Sequence, residues 1–246
     1  MLRCRLSRGS LRSWLVACLV LTVWVGAPRL LAAALVTPEE INSVRVYKKL
    51  ANATVLIASA YVSAHHITQA AGKGFGSGLL IDEHGSIVTN AHVVTGAAKI
   101  MVTMHDGTRL PAELIGSDPQ SDVALLQVTL PKGPYSPALL GDSDKLEIGQ
   151  KVLAIGHPFG LGYAFSSGIV SGFGKLIEAK QEVFQERVIQ TTTPINRGNS
   201  GGPLVDSEDH VIGIKASILF GAQNIGFATR SIPSNPSSRN YGRMAG

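Results

Sequence analysis

Gly198-Asn199-Ser200-Gly201-Gly202-Pro203 is the stretch whose reading decides the fold. Glycines on both sides of one serine let the backbone take positive φ and come close to a ligand, and they turn successive N–H groups toward one point. Read locally, the same residues make an ordinary glycine-rich turn. They also match the G-x-S-x-G elbow of α/β-hydrolases, which requires an acid and then a histidine downstream of the serine. Only His210 lies downstream, with Asp206 and Asp209 just before it, too close in sequence to come from separate loops. The βα alternation of that fold is also missing, so the elbow is excluded.

The reverse order, histidine then aspartate then serine, works. His92 follows the apolar run Ser86–Thr89 in Thr89-Asn90-Ala91-His92-Val93-Val94, and Asp122 opens the apolar run Val123–Val128. A carboxylate there can sit half-buried beside the imidazole and fix its tautomer. His92 would then take the proton of Ser200 and return it to a leaving amine. Taken singly, His92 reads as a turn histidine and Asp122 as a strand-start cap; their joint order beside the glycine-flanked serine carries the argument.

Outward from these residues, the body is a series of short β-branched runs punctuated by Gly, Pro and Asp. Strands are expected near Thr54–Val62, Phe75–Ile81, Ser86–Thr89, Lys99–Met104, Leu110–Ser117 and Val123–Val128. A second series falls near Lys151–Ile155, Phe165–Gly172, Arg187–Thr191, Pro203–Val205, Val211–Ala216 and Ile225–Thr229. Lys132–Pro137 divides the two series. The economical all-β architecture is two six-stranded antiparallel β-barrels, each closing its own edges, at about 54–131 and 138–233. Before them, within 35–53, Pro38-Glu39-Glu40 opens a short helix with Ile41, Val44 and Leu50 on one side. Residues 234–246 read as a loose tail.

Composition narrows the function classes. Aromatic residues make up 6% of the chain, so the core must be aliphatic. Both cysteines, Cys4 and Cys18, lie in the first 34 residues, which leaves the body without a disulfide, a thiolate metal site or a thiol nucleophile. The net charge of +5 resides in Arg3, Arg5, Arg8, Arg12 and Arg29; the 22 basic and 17 acidic side chains otherwise cancel, at 17 of each. A folded domain with no basic excess has no footprint for a phosphate backbone, so no nucleic-acid partner is expected. Residues 1–34 combine that basic start, the uncharged run 13–28 and Ala32-Ala33-Ala34, the layout of a secretory signal peptide, with an uncleaved membrane anchor as its rival. The domain is thus expected in a periplasm or outside the cell, held to the inner membrane only if 13–28 is retained. His65-His66 lack a third ligand, and Gly72–Gly78 lacks phosphate-loop spacing, so neither metal nor cofactor is expected.

Five spaced motifs go further. They are Gly76-Ser77-Gly78-Leu79-Leu80-Ile81, Thr89 to Val94, Ser121-Asp122-Val123-Ala124-Leu125-Leu126, Ile155-Gly156-His157-Pro158-Phe159-Gly160-Leu161, and Ile195-Asn196-Arg197 leading into Gly198 to Leu204. Together, over about residues 40–233, they resemble the protease domain of the HtrA (Deg) family. The resemblance implies a chymotrypsin-like double barrel, with a trypsin-like protease domain over 54–233. It makes His92 the general base, Asp122 the orienting acid and Ser200 the nucleophile. The N–H groups of Gly198 and Ser200, with Asn199 between them, become the oxyanion hole. Lys215-Ala216-Ser217 resembles the strand that pairs with substrate, with lysine where asparagine is frequent, and Ile195 and Ala216 imply a modest side-chain pocket. The implied activity is cofactor-free serine endopeptidase cleavage of unfolded or damaged polypeptides, with a homotrimer as the possible assembly. Arg197 replaces a usual proline, Thr191-Thr192-Thr193-Pro194 replaces Thr-Asp-Ala-Ala, and the resemblance implies a protease domain without the PDZ domain that family members often carry. These departures sustain a second reading, a chaperone-like or protein-binding module whose triad does not turn over.

Overall fold

The computed structural model describes residues 37–61, 73–133, 135–157, 162–178, 183–195, 198–218 and 226–230. The leader 1–34, His65-His66, Arg197 and the tail 234–246 lie outside the described residues. The chain divides into two units, residues 1–42 and 43–246. Helix α1 (Pro38–Ala51) starts in the first with a reciprocal cap. The Thr37 amide donates to Glu40 Oε2 at 2.6 Å, and the Glu40 amide donates to Thr37 Oγ1 at 3.2 Å. Two otherwise orphaned donors are satisfied, an arrangement worth about 1 kcal/mol.

Within the second unit, β1 (Thr54–Ala60), β2 (Lys73–Leu80), β3 (Ser86–Thr89), β4 (Lys99–Thr103), β5 (Arg109–Asp118) and β6 (Val123–Val128) close a barrel in the order β1-β2-β3-β6-β5-β4, every pairing antiparallel. A one-turn helix α2 (Ala91–Val94) follows β3. The two-residue strand β7 (Leu139–Leu140) then precedes β8 (Lys151–Gly156), β9 (Ala164–Glu178), β10 (Val183–Thr191), β11 (Pro203–Val205), β12 (His210–Ile218) and β13 (Gly226–Arg230). The sheet order β11-β8-β9-β10-β13-β12-β7 is closed by a further β11–β12 pairing. Six antiparallel strands therefore make the second barrel, and β7 adds to β12 in parallel. The expected all-β, chymotrypsin-like architecture of two six-stranded barrels is what the chain forms.

The buried clusters show why. Val55, Ile57, Ile87, Val102 and Leu126 fill the first barrel, and Val152, Ala154, Val170, Ile189, Leu204 and Ile212 fill the second. Strand β8 alternates between cores, with Val152 and Ala154 in the second barrel while Leu153 and Ile155 join a third cluster with Leu79, Val205 and Val211. A strand buried on both faces reads as the continuous apolar run seen here. The buried cores contain no Phe, Tyr or Trp among the described residues, as the composition requires.

Two local expectations are corrected. Of Ile41, Val44 and Leu50 only Leu50 is buried, and it is joined by Val46 and Ala51. The register of α1 is set by Val46 and Leu50, one turn apart, entering the third cluster. The β9–β10 hairpin also runs further than expected, to Glu178 and from Val183, with a register shift between Gln185 and Val188. A two-stranded ribbon is held by its ladder and needs no alternating apolar face along that length.

Candidate active site

His92 sits on α2, whose other side chains, Ala91, Val93 and Val94, are buried and anchor the turn. The Val93 carbonyl accepts from Ser59 Oγ at 2.7 Å and Tyr61 Oη at 3.0 Å, and the Ala91 carbonyl accepts from Thr95. A four-residue helix so pinned presents its one polar side chain outward, and His92 is 51% exposed. Asp122, just before β6, is 16% exposed and points back at it. Asp122 Oδ2 lies 2.7 Å from His92 Nδ1, and Asp122 Oδ1 accepts from the His92 amide at 3.0 Å. With the hydrogen on Nδ1, that bond leaves Nε2 a free acceptor. Asp122 adopts φ +52°, a left-handed conformation that aspartate tolerates better than most residues, and its carbonyl accepts from Asn90 Nδ2 at 2.8 Å.

Ser200 lies on the turn leading into β11. The turn is docked onto β2 and the end of β3: the Ser200 carbonyl accepts from the Ser77 amide at 2.7 Å, and Gly201 abuts the Ser77 carbonyl and Thr89 Oγ1. A Cβ on Gly201 would overlap both, and its φ of +83° independently demands glycine. Among the described residues no hydrogen bond joins the Ser200 hydroxyl to His92, and the Gly198 and Ser200 amides donate to no acceptor. Resting sites often tighten only around substrate. Asn199 is buried with Oδ1 unpaired.

Of the residues expected on the substrate side, Ile195 is buried and packs over Gly226, where a Cβ would sit 2.5 Å from Ile195 Cδ1. Lys215 is held within the fold at both its backbone and its side chain. Its amide donates to the Gly202 carbonyl and its carbonyl accepts from the Gly201 amide, both at 3.0 Å, so its backbone is committed to the nucleophile turn. Its side chain is fully buried, with Nζ donating to the Ile155 carbonyl at 2.6 Å. The ladder to β13 steps from Lys215↔Ala228 to Ser217↔Phe227, leaving Ala216 as the bulged residue. Sequence reasoning missed Ser77 and Asn90; the only signal was the pair of glycines around Ser77.

Burial pushes the Lys215 ammonium down to about 7 from the usual 10.5. Between those values the unfolded chain binds more protons, so stability rises with pH over the interval from 7 to 10.5. In calorimetric melts, the parent protein is therefore expected to gain on Lys215→Met as the pH is raised from 7 to 10. Parallel pH dependences for the two proteins would contradict a desolvated lysine at this position. His157, at the end of β8, is buried against Tyr163, with ring centroids 3.8 Å apart. Its imidazole is held below the usual range by burial and by His105. No group of three or more potential metal ligands occurs among the described residues.

The family described as "Trypsin-like peptidase domain" matches residues 76–214. The chain is 45% identical over 167 residues to "Periplasmic pH-dependent serine endoprotease DegQ" of Escherichia coli, covering 66% of this chain and 35% of that protein. It is 40% identical over 185 residues to "Protease Do-like 1, chloroplastic" of Arabidopsis thaliana, covering 73% of this chain and 42% of that one. The solved structure "HtrA-type protease AlgW with tripeptide" superposes with a TM-score of 0.68 at 32% identity, over 82% of this chain and 63% of the other. The chain thus spans between a third and a half of the length of these curated relatives.

Proposed function

The chain belongs to the trypsin-like peptidase family, in its HtrA (Deg) group, and from that premise we propose that it is a serine endopeptidase acting on unfolded polypeptides. The observation that carries the proposal is the pairing of both Asp122 oxygens with His92, one to the ring and one to the amide. Such a carboxylate fixes ring rotation and tautomer together. Ser200 Oγ attacks the scissile carbonyl while its proton passes to His92 Nε2, and Asp122 stabilises the imidazolium formed. Charge developing on the carbonyl oxygen meets the Gly198 and Ser200 amides, which have no competing acceptor among the described residues. The imidazolium then protonates the leaving amine, and water activated by the same base hydrolyses the acyl-enzyme.

Extended substrate would pair at the Ala216 bulge and Ser217, with Ile195 lining the side-chain pocket. The proposed catalytic domain is 54–233, the proposed compartment is the cell envelope, and a homotrimer is the assembly that family membership implies. No helix of the described residues is long and apolar enough to cross a membrane. The test is cleavage of a permanently unfolded casein beside a tightly folded control, with and without a chelator. Chelator-insensitive cleavage of casein alone supports the proposal. Intact casein, with the protein folded by circular dichroism, rejects it.

A further inference from the structure

We propose that Ser77 is the positioning residue that holds the Gly198–Ser200 turn ready to bind an oxyanion, through bonds from its hydroxyl and amide to both ends of that turn. This inference rests on the peptidase reading above and names a group in the first barrel that tunes chemistry in the second. Ser77 is fully buried in β2. Its amide donates to the Ser200 carbonyl at 2.7 Å, and its hydroxyl donates to the Gly198 carbonyl at 2.8 Å. The same hydroxyl accepts from the His157 amide at 2.8 Å, and the Ser77 carbonyl accepts from Thr89 Oγ1 at 2.7 Å. Every polar atom of this residue is therefore used, and two of the bonds fix carbonyls on either side of Asn199.

The consequence is orientational. Gly198 has φ +92° and no side chain to resist rotation of its flanking peptides. The held carbonyls of Gly198 and Ser200 bracket the Ser200 amide and leave it little freedom to swing away from the reacting centre, and preorganised donors are what oxyanion stabilisation requires. The strand is shaped for this approach. A Cβ at Gly76 would lie 2.6 Å and 2.7 Å from the Val93 methyls and 3.3 Å from the Ser200 carbonyl oxygen. A Cβ at Gly156 would lie 3.0 Å from Ser77 Oγ and 2.8 Å from Asn199 Oδ1, so the glycine lets β8 approach both the hydroxyl and the turn.

The experiment compares the parent, Ser77→Ala and Ser77→Cys, with active sites titrated by a fluorophosphonate so that any unfolded fraction drops out. Readouts are kcat and KM on a fluorogenic peptide, affinity for a peptide boronate that places an oxygen in the oxyanion site, and affinity for the product peptide. Ser77→Ala is expected to lower kcat per titrated site about tenfold and boronate affinity by a similar factor, with KM and product affinity within about twofold. Ser77→Cys, a weak donor, is expected to fall between the two, and it decides the matter if the alanine variant does not fold. Unchanged kcat and boronate affinity per titrated site, or an equal loss of product affinity, overturns the inference while leaving the peptidase reading intact. A parent protein that neither labels nor cleaves rejects the peptidase reading itself, and this inference with it.

Discussion

Ser200→Ala is expected to lose roughly 10⁴-fold or more of peptide turnover while unfolding at nearly the parent temperature. The size follows from the unity of the cluster. Without the alcohol there is no acyl-enzyme, and only substrate binding and the turn amides remain to favour a water-borne route. Stability is spared because the contacts of Ser200 that hold the turn are backbone ones: its carbonyl bonds to Ser77, and the neighbouring Gly201 amide bonds to the Lys215 carbonyl. Removing one hydroxyl that bonds to no described residue costs the fold little. Steady-state cleavage of a fluorogenic peptide and a thermal melt check both halves. Turnover within tenfold of the parent would show that another group supplies the nucleophile.

Asp122→Asn is expected to lower kcat by about 10⁴ with the fold retained. Asparagine accepts left-handed backbone as readily as aspartate, so φ +52° is no obstacle. Its amide oxygen can still accept from the His92 amide, as Asp122 Oδ1 does at 3.0 Å. The loss is at the other atom. The NH₂ group would face His92 Nδ1 at the place where Oδ2 stands at 2.7 Å, and two donors cannot share that line. The ring must then carry its hydrogen on Nε2, the atom that has to receive the serine proton. Single-turnover acylation by a chromogenic ester measures this step directly, and a rate close to that of the parent would mean that Asp122 does not set the tautomer.

Much of this molecule is legible along the chain, and the exceptions have physical causes. The strands Ser86–Thr89, Val123–Val128 and Pro203–Val205 form at the expected bounds because each sends apolar residues into the core and is closed by a turn signal. The two-residue strand Leu139–Leu140 has no periodicity to read and exists only because β12 offers an edge. His92 and Asp122 are recognisable because their residue types and order are constrained by chemistry, and the structure brings them together across 30 residues. Ser77 was not recognisable as a positioning group, since its hydroxyl finds Gly198 across 121 residues and the flanking glycines do not say which group it meets. The burial of Lys215 was not legible for a related reason: its ammonium is drawn inward to the carbonyl of Ile155, a neighbour supplied by another strand.

The assertion on which the rest depends is that the alcohol at position 200 becomes a nucleophile when His92 and Asp122 are intact. Peptide mapping of a fluorophosphonate adduct by mass spectrometry tests it most directly. A single adduct on Ser200 in the parent, absent from His92→Ala and from denatured protein, is the predicted result. A folded parent with Ser200 unmodified, or one modified equally well without His92, would contradict it.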